Sequence, residues 1–370
     1  MTSDLTQGKI LYHIRTLAIP ASIGMIFNTL YNVVDTFYSG QIGTDSMAGL
    51  AVSFPIFFII IALSYGLGSG TTALSSIAVG LKDEKKFHSL MKNSLYIALI
   101  ISIVIIAFAP TMSTLLLGIS GATGNTLTEG SNYMNTLIYG SIFFILNFII
   151  NGGLYAQGDT KSYRNALIFG FFMNLILDPL FIYGFFFIPK LGTIGIALAT
   201  VIVQIITSLY LITRLFKSPL FKFSLFKSSS FNREDVKDLL KQGIPSSLNS
   251  ATIAIGVFIV NYFILKYSTA VTMAAYGAAM RIEQMALLPV MGLNSAALTI
   301  TGQNYGAKLY HRIIELKKNS LRIGIFFMLI SGVIIYTFAP LLISIFNDDL
   351  AVVEAGTIYL RIGAFALPTY

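Results

Sequence analysis

Apolar positions along this chain neither alternate nor mark a single helical stripe; they run on for about twenty residues at a time. A run of that length crosses the ~30 Å hydrocarbon core of a bilayer as a helix. The pattern predicts membrane spans at about 15–39, 50–80, 93–117, 131–155, 163–188, 191–214, 243–265, 270–303, 321–345 and 352–370. Lys, Asp, Asn or Gly closes each of the first nine. The tenth stops at Phe365 to Tyr370 without a polar flank, and we read the sequence as C-terminally truncated inside a helix. The first run lacks a basic leader with a cleavage site and is long enough to span, which makes it a helix of the protein and not a removed signal.

Composition agrees. Of 370 residues, 55% are hydrophobic and 11% charged, with a mean hydropathy of +0.77. A water-soluble globule of this length needs about a quarter charged residues on its surface, so that class is excluded. The 24 Lys and Arg are sorted by loop: 20 lie in the N-terminal stretch and in alternate loops from it, and only Lys190 and Lys266 lie in the intervening ones. Cationic loops stay inside, which puts the N-terminus on the cytoplasmic side. The net charge of +8 thereby reflects topology and attraction to anionic lipid, and no nucleic-acid partner is expected. There is no Cys, and His13, His88 and His311 sit singly in Lys-bearing stretches, where we expect solvated loop residues and no metal ligands.

Sliding the chain by 226 residues sets Gly66–Leu95 on Gly292–Leu321 without a gap, with ten of thirty positions identical, among them Gly66/Gly292, Gly80/Gly306, Lys82/Lys308 and Asn93-Ser94-Leu95/Asn319-Ser320-Leu321. Nearby registers pair Pro20 with Pro245 and Tyr133 with Tyr359. The fold class is therefore all-α and polytopic: two six-helix lobes related by a parallel internal repeat, the second incomplete. The N-terminal lobe is 1–214, the basic cytoplasmic linker 215–241 and the partial C-terminal lobe 242–370. Copying the first repeat onto the second predicts a natural chain of about 446 residues. Small residues at four-residue spacing, Gly66/Gly70, Ser76/Gly80, Gly292/Ala296 and Gly302/Gly306, let helix backbones meet closely.

Three carboxyls fall within spans, where each costs about 2.5 to 3.5 kcal/mol and marks a candidate site. Asp35 shares a face of span one with Asn28 and Tyr31, and Asn32 lies one turn before it. Asp178 follows Asn174 by one turn, and Pro179 after it leaves a carbonyl free. Glu283 lies two residues from Arg281, which could simply neutralise it. The bland alternative makes all three interhelical hydrogen-bond partners. Two buried carboxyls together can share a proton, and the same oxygens with Asn174 and a hydroxyl could hold Na⁺. No nucleotide-binding loop occurs, which excludes an ATP-driven pump within this chain. No cluster of catalytic side chains points to an enzyme; Asp348-Asp349 reads as a helix-capping turn.

The stretches IPASIGMIFNTLYNVVDTFYSGQIG (19–43), NLILDPLFIYG (174–184), GTIGIALATVIVQ (192–204) and GQNYGA (302–307) together resemble the MATE (multidrug and toxic compound extrusion) family, most closely its bacterial DinF-type branch. That resemblance implies two lobes around a chamber alternately open to each side, exchanging H⁺ or Na⁺ for organic, mostly cationic, drugs, with no cofactor. Its cation site maps to Asp35, Asn174, Asp178 and Thr200, with Tyr139 beside them. Acidic residues that some branches carry on spans seven and ten are missing here, where span seven has none and span ten has only Glu354 near its start, which leaves Glu283 as the second-lobe acid. Pro20 and Pro245 are the hinge candidates. The partners expected are membrane lipid and small organic cations, with the chain working as a monomer. The alternative is a lipid-linked oligosaccharide flippase of the same superfamily, which would want chamber cations; only Arg281 and Arg361 lie inside spans. A passive channel is the third reading, and gives no reason for buried acids.

Overall fold

The structure is a computed structural model that describes residues 4–268, 270–346 and 349–369. Asp348 and Tyr370 lie outside them. The helices are α1 (Ile10–Ile42), α2 (Thr44–Gly80), α3 (Glu84–Ala107), α4 (Ala109–Ile119), α5 (Gly124–Tyr139), α6 (Ser141–Ala156), α7 (Lys161–Tyr183), α8 (Thr193–Phe216), α9 (Phe223–Ser228), α10 (Arg233–Tyr267), α11 (Ala270–Gly306), α12 (Tyr310–Ser344) and α13 (Leu350–Ala366). Among the described residues nine helices are long and apolar enough to cross a bilayer, and α5 with α6 make a tenth span. The protein is an all-helical, multi-pass membrane protein, and the ten predicted spans fall on these elements.

Two spans predicted as straight are broken. Span three stops at Phe108 and resumes as α4, whose first turn carries a proline. Span four bends by 46° between α5 and α6. At that bend a Cβ on Gly140 would run into the Val201 side chain of α8, so the close packing of the bend on α8 favours glycine there. The basic linker is also more ordered than its composition suggests: α10 begins at Arg233, eight residues before the linker's expected end. The Asn232 side chain caps it, accepting from the backbone N–H of Glu234 (2.9 Å) and Asp235 (3.3 Å), with both acids in the first turn where the helix dipole favours them. Asp349 caps α13 in the same way, accepting from Ala351 N at 2.9 Å.

The helices of the first half pack round Leu90, Met91, Ile149, Leu154 and Leu211, and those of the second round Ala279, Met328, Ile335 and Leu360. A third cluster joins the halves through Ile10, Ile14 and Leu17 of α1 and Leu293, Ala296 and Ile300 of α11. Glycines line that junction. Gly66 and Gly70 of α2 lie against the backbone of Gly243 in α10, Gly80 against Gln303 of α11, Gly292 against Ala18 and Ser22 of α1, and Gly306 against Ile77 of α2 and Leu81 just past its end. All these points lie toward the Lys- and Arg-rich face. Toward the opposite face Gly256 of α10 and Gly277 of α11 have nothing within 4 Å. The close glycine contacts between the halves thus lie on the basic side of Gly256 and Gly277.

Two of the three histidines correct the expectation of solvated loops. His13 is buried on α1, its Nε2–H donating to the Gln7 carbonyl. His88 is fully buried on α3: Nδ1–H donates to the Glu84 carbonyl (2.6 Å) and Nε2 accepts from Lys222 N (2.8 Å). His311 is exposed. Lys-rich flanks mark helix ends at the membrane face, and the linker folds back over them.

Candidate functional site

On α7 the buried positions recur every four residues, Ser162, Ala166, Gly170, Asn174, Asp178 and Ile182, so the face that turns inward carries both polar groups. On α1 the same spacing buries Tyr31, Asp35 and Ser39, and on α8 it buries Thr200 with Ile196 and Val203. Close approach needs small residues here: Gly24 of α1 lies against the backbone of Arg164, and Gly170 of α7 against Val203 of α8. Three helices thus converge on one polar pocket inside the first half.

Within it Thr200 Oγ1–H donates to Asp35 Oδ2 at 3.2 Å and Asn174 Nδ2–H donates to Asp178 Oδ1 at 3.0 Å. The two carboxyl groups lie within direct interaction of each other. Four oxygens are buried without a protein partner: Asp35 Oδ1, Asp178 Oδ2, Asn174 Oδ1 and the Tyr31 hydroxyl. Buried polar atoms are almost always paired. A cluster of orphaned oxygens, with two carboxyls and no cationic side chain paired to either, is chemically suited to a proton or a hard monovalent cation. Tyr133 of α5, also buried, lies on the same side of the first half.

Of the residues expected at this site, Asp35, Asn174, Asp178 and Thr200 come together. Tyr139 does not: it ends α5, 53% exposed. Asn28 and Asn32 are exposed as well, the Asn32 amide turned onto the Asn28 carbonyl at 2.8 Å. Glu283 stands apart in the second half, half-buried, accepting from the Tyr359 hydroxyl at 3.5 Å. Arg281 does not neutralise it: the ion pairs among the described residues are Lys86–Asp235, Arg214–Asp159 and Lys222–Glu84. Sequence reasoning missed Tyr133, yet a signal was present. Its repeat partner is Tyr359, whose hydroxyl meets the half-buried Glu283 of the second half.

The MatE family pattern matches residues 20–180 and 245–370. The chain belongs to the MatE family. Over 350 residues it is 28% identical to the probable multidrug resistance protein YoeA of Bacillus subtilis (strain 168), covering 92% of this chain and 73% of that protein. Over 348 residues it is 26% identical to the multidrug export protein MepA of Staphylococcus aureus (strain MRSA252), covering 93% and 75%. Among solved structures it superposes with a TM-score of 0.91, at 28% identity, on the outward-facing conformation of a multidrug resistance MATE family transporter of the MOP superfamily, covering 99% of this chain and 81% of that one. This MatE protein is a membrane transporter by family. Pro20 and Pro245 lie inside α1 and α10, and both helices run unbroken through them.

Proposed function

We propose that this MatE protein is a secondary multidrug efflux transporter that exchanges H⁺ or Na⁺ for organic, mostly cationic, drugs by alternating access. The basic face and the N-terminus lie in the cytoplasm of the bacterial inner membrane, and residues 1–214 and 242–370 move as two lobes about the hinges Pro20 and Pro245. The observation that carries the reading is the pair Asp35 and Asp178, buried side by side with unpaired oxygens and no cation to neutralise them. The coupling ion binds there with Asn174 and Thr200. A ligand carrying pyrophosphate would need chamber cations, and Arg281 and Arg361 are both exposed, Arg361 stacked 5.4 Å over the Tyr336 ring.

Two carboxyls also fit the energetics. A membrane potential supplies about 2.3 kcal/mol per charge per 100 mV, yet one proton exchanged for one monovalent cation moves no net charge. Two protons per drug make the exchange electrogenic. The test is efflux of a fluorescent organic cation from proteoliposomes under an imposed proton or Na⁺ gradient, for the parent, Asp35→Asn and Asp178→Asn. Gradient-driven efflux by the parent, lost in both variants, is the expected result and identifies the ion. Efflux untouched by both substitutions would remove the coupling site from this pocket, and no efflux under either gradient would remove the antiport reading.

A further inference from the structure

The motif GQNYGA, singled out in the sequence, takes no part in the ion site. It ends α11 on the basic face, and there it grips the segment that precedes α1. Leu5, fully buried, donates its N–H to Gln303 Oε1 (3.1 Å), and its carbonyl accepts from Asn304 Nδ2–H (3.1 Å). Gln303 Nε2–H also donates to the Ala156 carbonyl at the end of α6 (2.7 Å). Arg312, in the first turn of α12, donates to Asn304 Oδ1 (2.8 Å) and to three main-chain carbonyls of the same segment: Gly8 (2.9 Å), Leu5 (3.2 Å) and Gln7 (3.3 Å). Every one of these contacts except the Arg312–Asn304 bond crosses between the halves.

In the ungapped repeat, Arg312 falls on Lys86. Lys86, in the first turn of α3, reaches across in the other direction, to the start of α10: its Nζ lies 2.6 Å from Asp235 Oδ1, and Asp235 is fully buried with Ser89 on its other oxygen. Each half therefore holds the other with a cation at the same repeat position, Arg312 on the segment before α1 and Lys86 on the first turn of α10. The two grips differ in kind. Asp235 pairs charge with charge and is joined to the first half by the linker, itself pinned by His88, Lys92 and Asn93. The segment before α1 is held through uncharged main-chain oxygens, with no charge pair among its contacts to the second half.

We propose that residues 4–9 are a latch closing the basic face, held by Arg312 with Gln303 and Asn304, and that the Lys86–Asp235 grip is the matching hinge that stays shut. The latch rests on the alternating-access reading above. Opening toward the basic face breaks the Arg312 contacts first.

The absence of Cys makes the test clean. Ser76, fully buried where α2 meets Gly302, is changed to Cys in the full chain, and a membrane-impermeant maleimide is added on the basic face of vesicles. Arg312→Ala should raise the labelling rate about tenfold, Arg312→Lys should lie between, and Lys86→Met should leave it near the parent's. Unchanged labelling in Arg312→Ala, or an equal rise in Lys86→Met, overturns the proposal. Should Arg312→Ala fail to fold, Asn304→Ala, which removes a donor to the Leu5 carbonyl and the Arg312 acceptor, should raise Ser76→Cys labelling in the same direction; unchanged labelling there overturns the latch. Labelling reports the latch even if the parent moves no drug, so failure of the transport reading is seen separately in the efflux assay.

Discussion

Glycine does opposite work at the two faces of this molecule. Toward the basic face Gly66, Gly70, Gly80, Gly292 and Gly306 each face backbone of the other half, near enough that a methyl would collide or press against it. Toward the opposite face Gly256 and Gly277 face open space. Without a hydrophobic drive between helices in lipid, close backbone contact is what holds them together. The small-residue pairs of both repeats therefore concentrate adhesion at one end, and the other end is free to part. The pocket of Asp35 and Asp178 sits inside the first half, so a parting of the halves need not disturb it.

That contrast can be attacked from both ends. The largest effect should come from Gly80→Val, which drives a branched side chain into the Gln303 main chain where no rotamer change gives relief; a loss of about 3 kcal/mol is expected. Thermal unfolding of detergent-solubilised protein, followed by size exclusion, measures it, and a parent-like melting point would mean the seam is not a close contact. Next is Asp235→Asn, which leaves the Lys86 ammonium against a neutral amide in a partly buried site and should cost about 2 kcal/mol in the same assay. Insensitivity there would make the charged grip dispensable. Smallest is Gly277→Ala, expected between no change and a gain of about 1 kcal/mol from helix propensity. A clear loss would show that this face packs against something, and the contrast would fail.

The spans were legible because lipid demands long apolar runs, and the buried acids because lipid makes them costly. Which face of a helix a polar residue joins was harder. Tyr139 was expected beside Asp35, but Tyr133 is there. The two are six residues apart on α5, about 240° round the helix, and only the packing of α5 on its neighbours selects one. The chain breaks at Phe108 and Gly140 were hidden for a related reason: the hydropathy of a bent helix equals that of a straight one. His13 and His88 were misjudged because local charge says where the membrane ends, not which loop folds over it. The Arg312 contacts were invisible altogether, since their acceptors are main-chain carbonyls and carry no signature in the sequence.

That last feature bears on which changes the chain tolerates. Because Arg312 addresses the oxygens of Leu5, Gln7 and Gly8 and not their side chains, the identities at 6 and 7 can drift with little effect on that grip. The spacing cannot. Each residue added or removed between Leu5 and Ile10 moves the carbonyls by about 3.3 Å, more than a hydrogen bond can follow, so this short lead-in should accept substitutions at 6 and 7, keep the buried Leu5 and the left-handed Gly8, and refuse insertions.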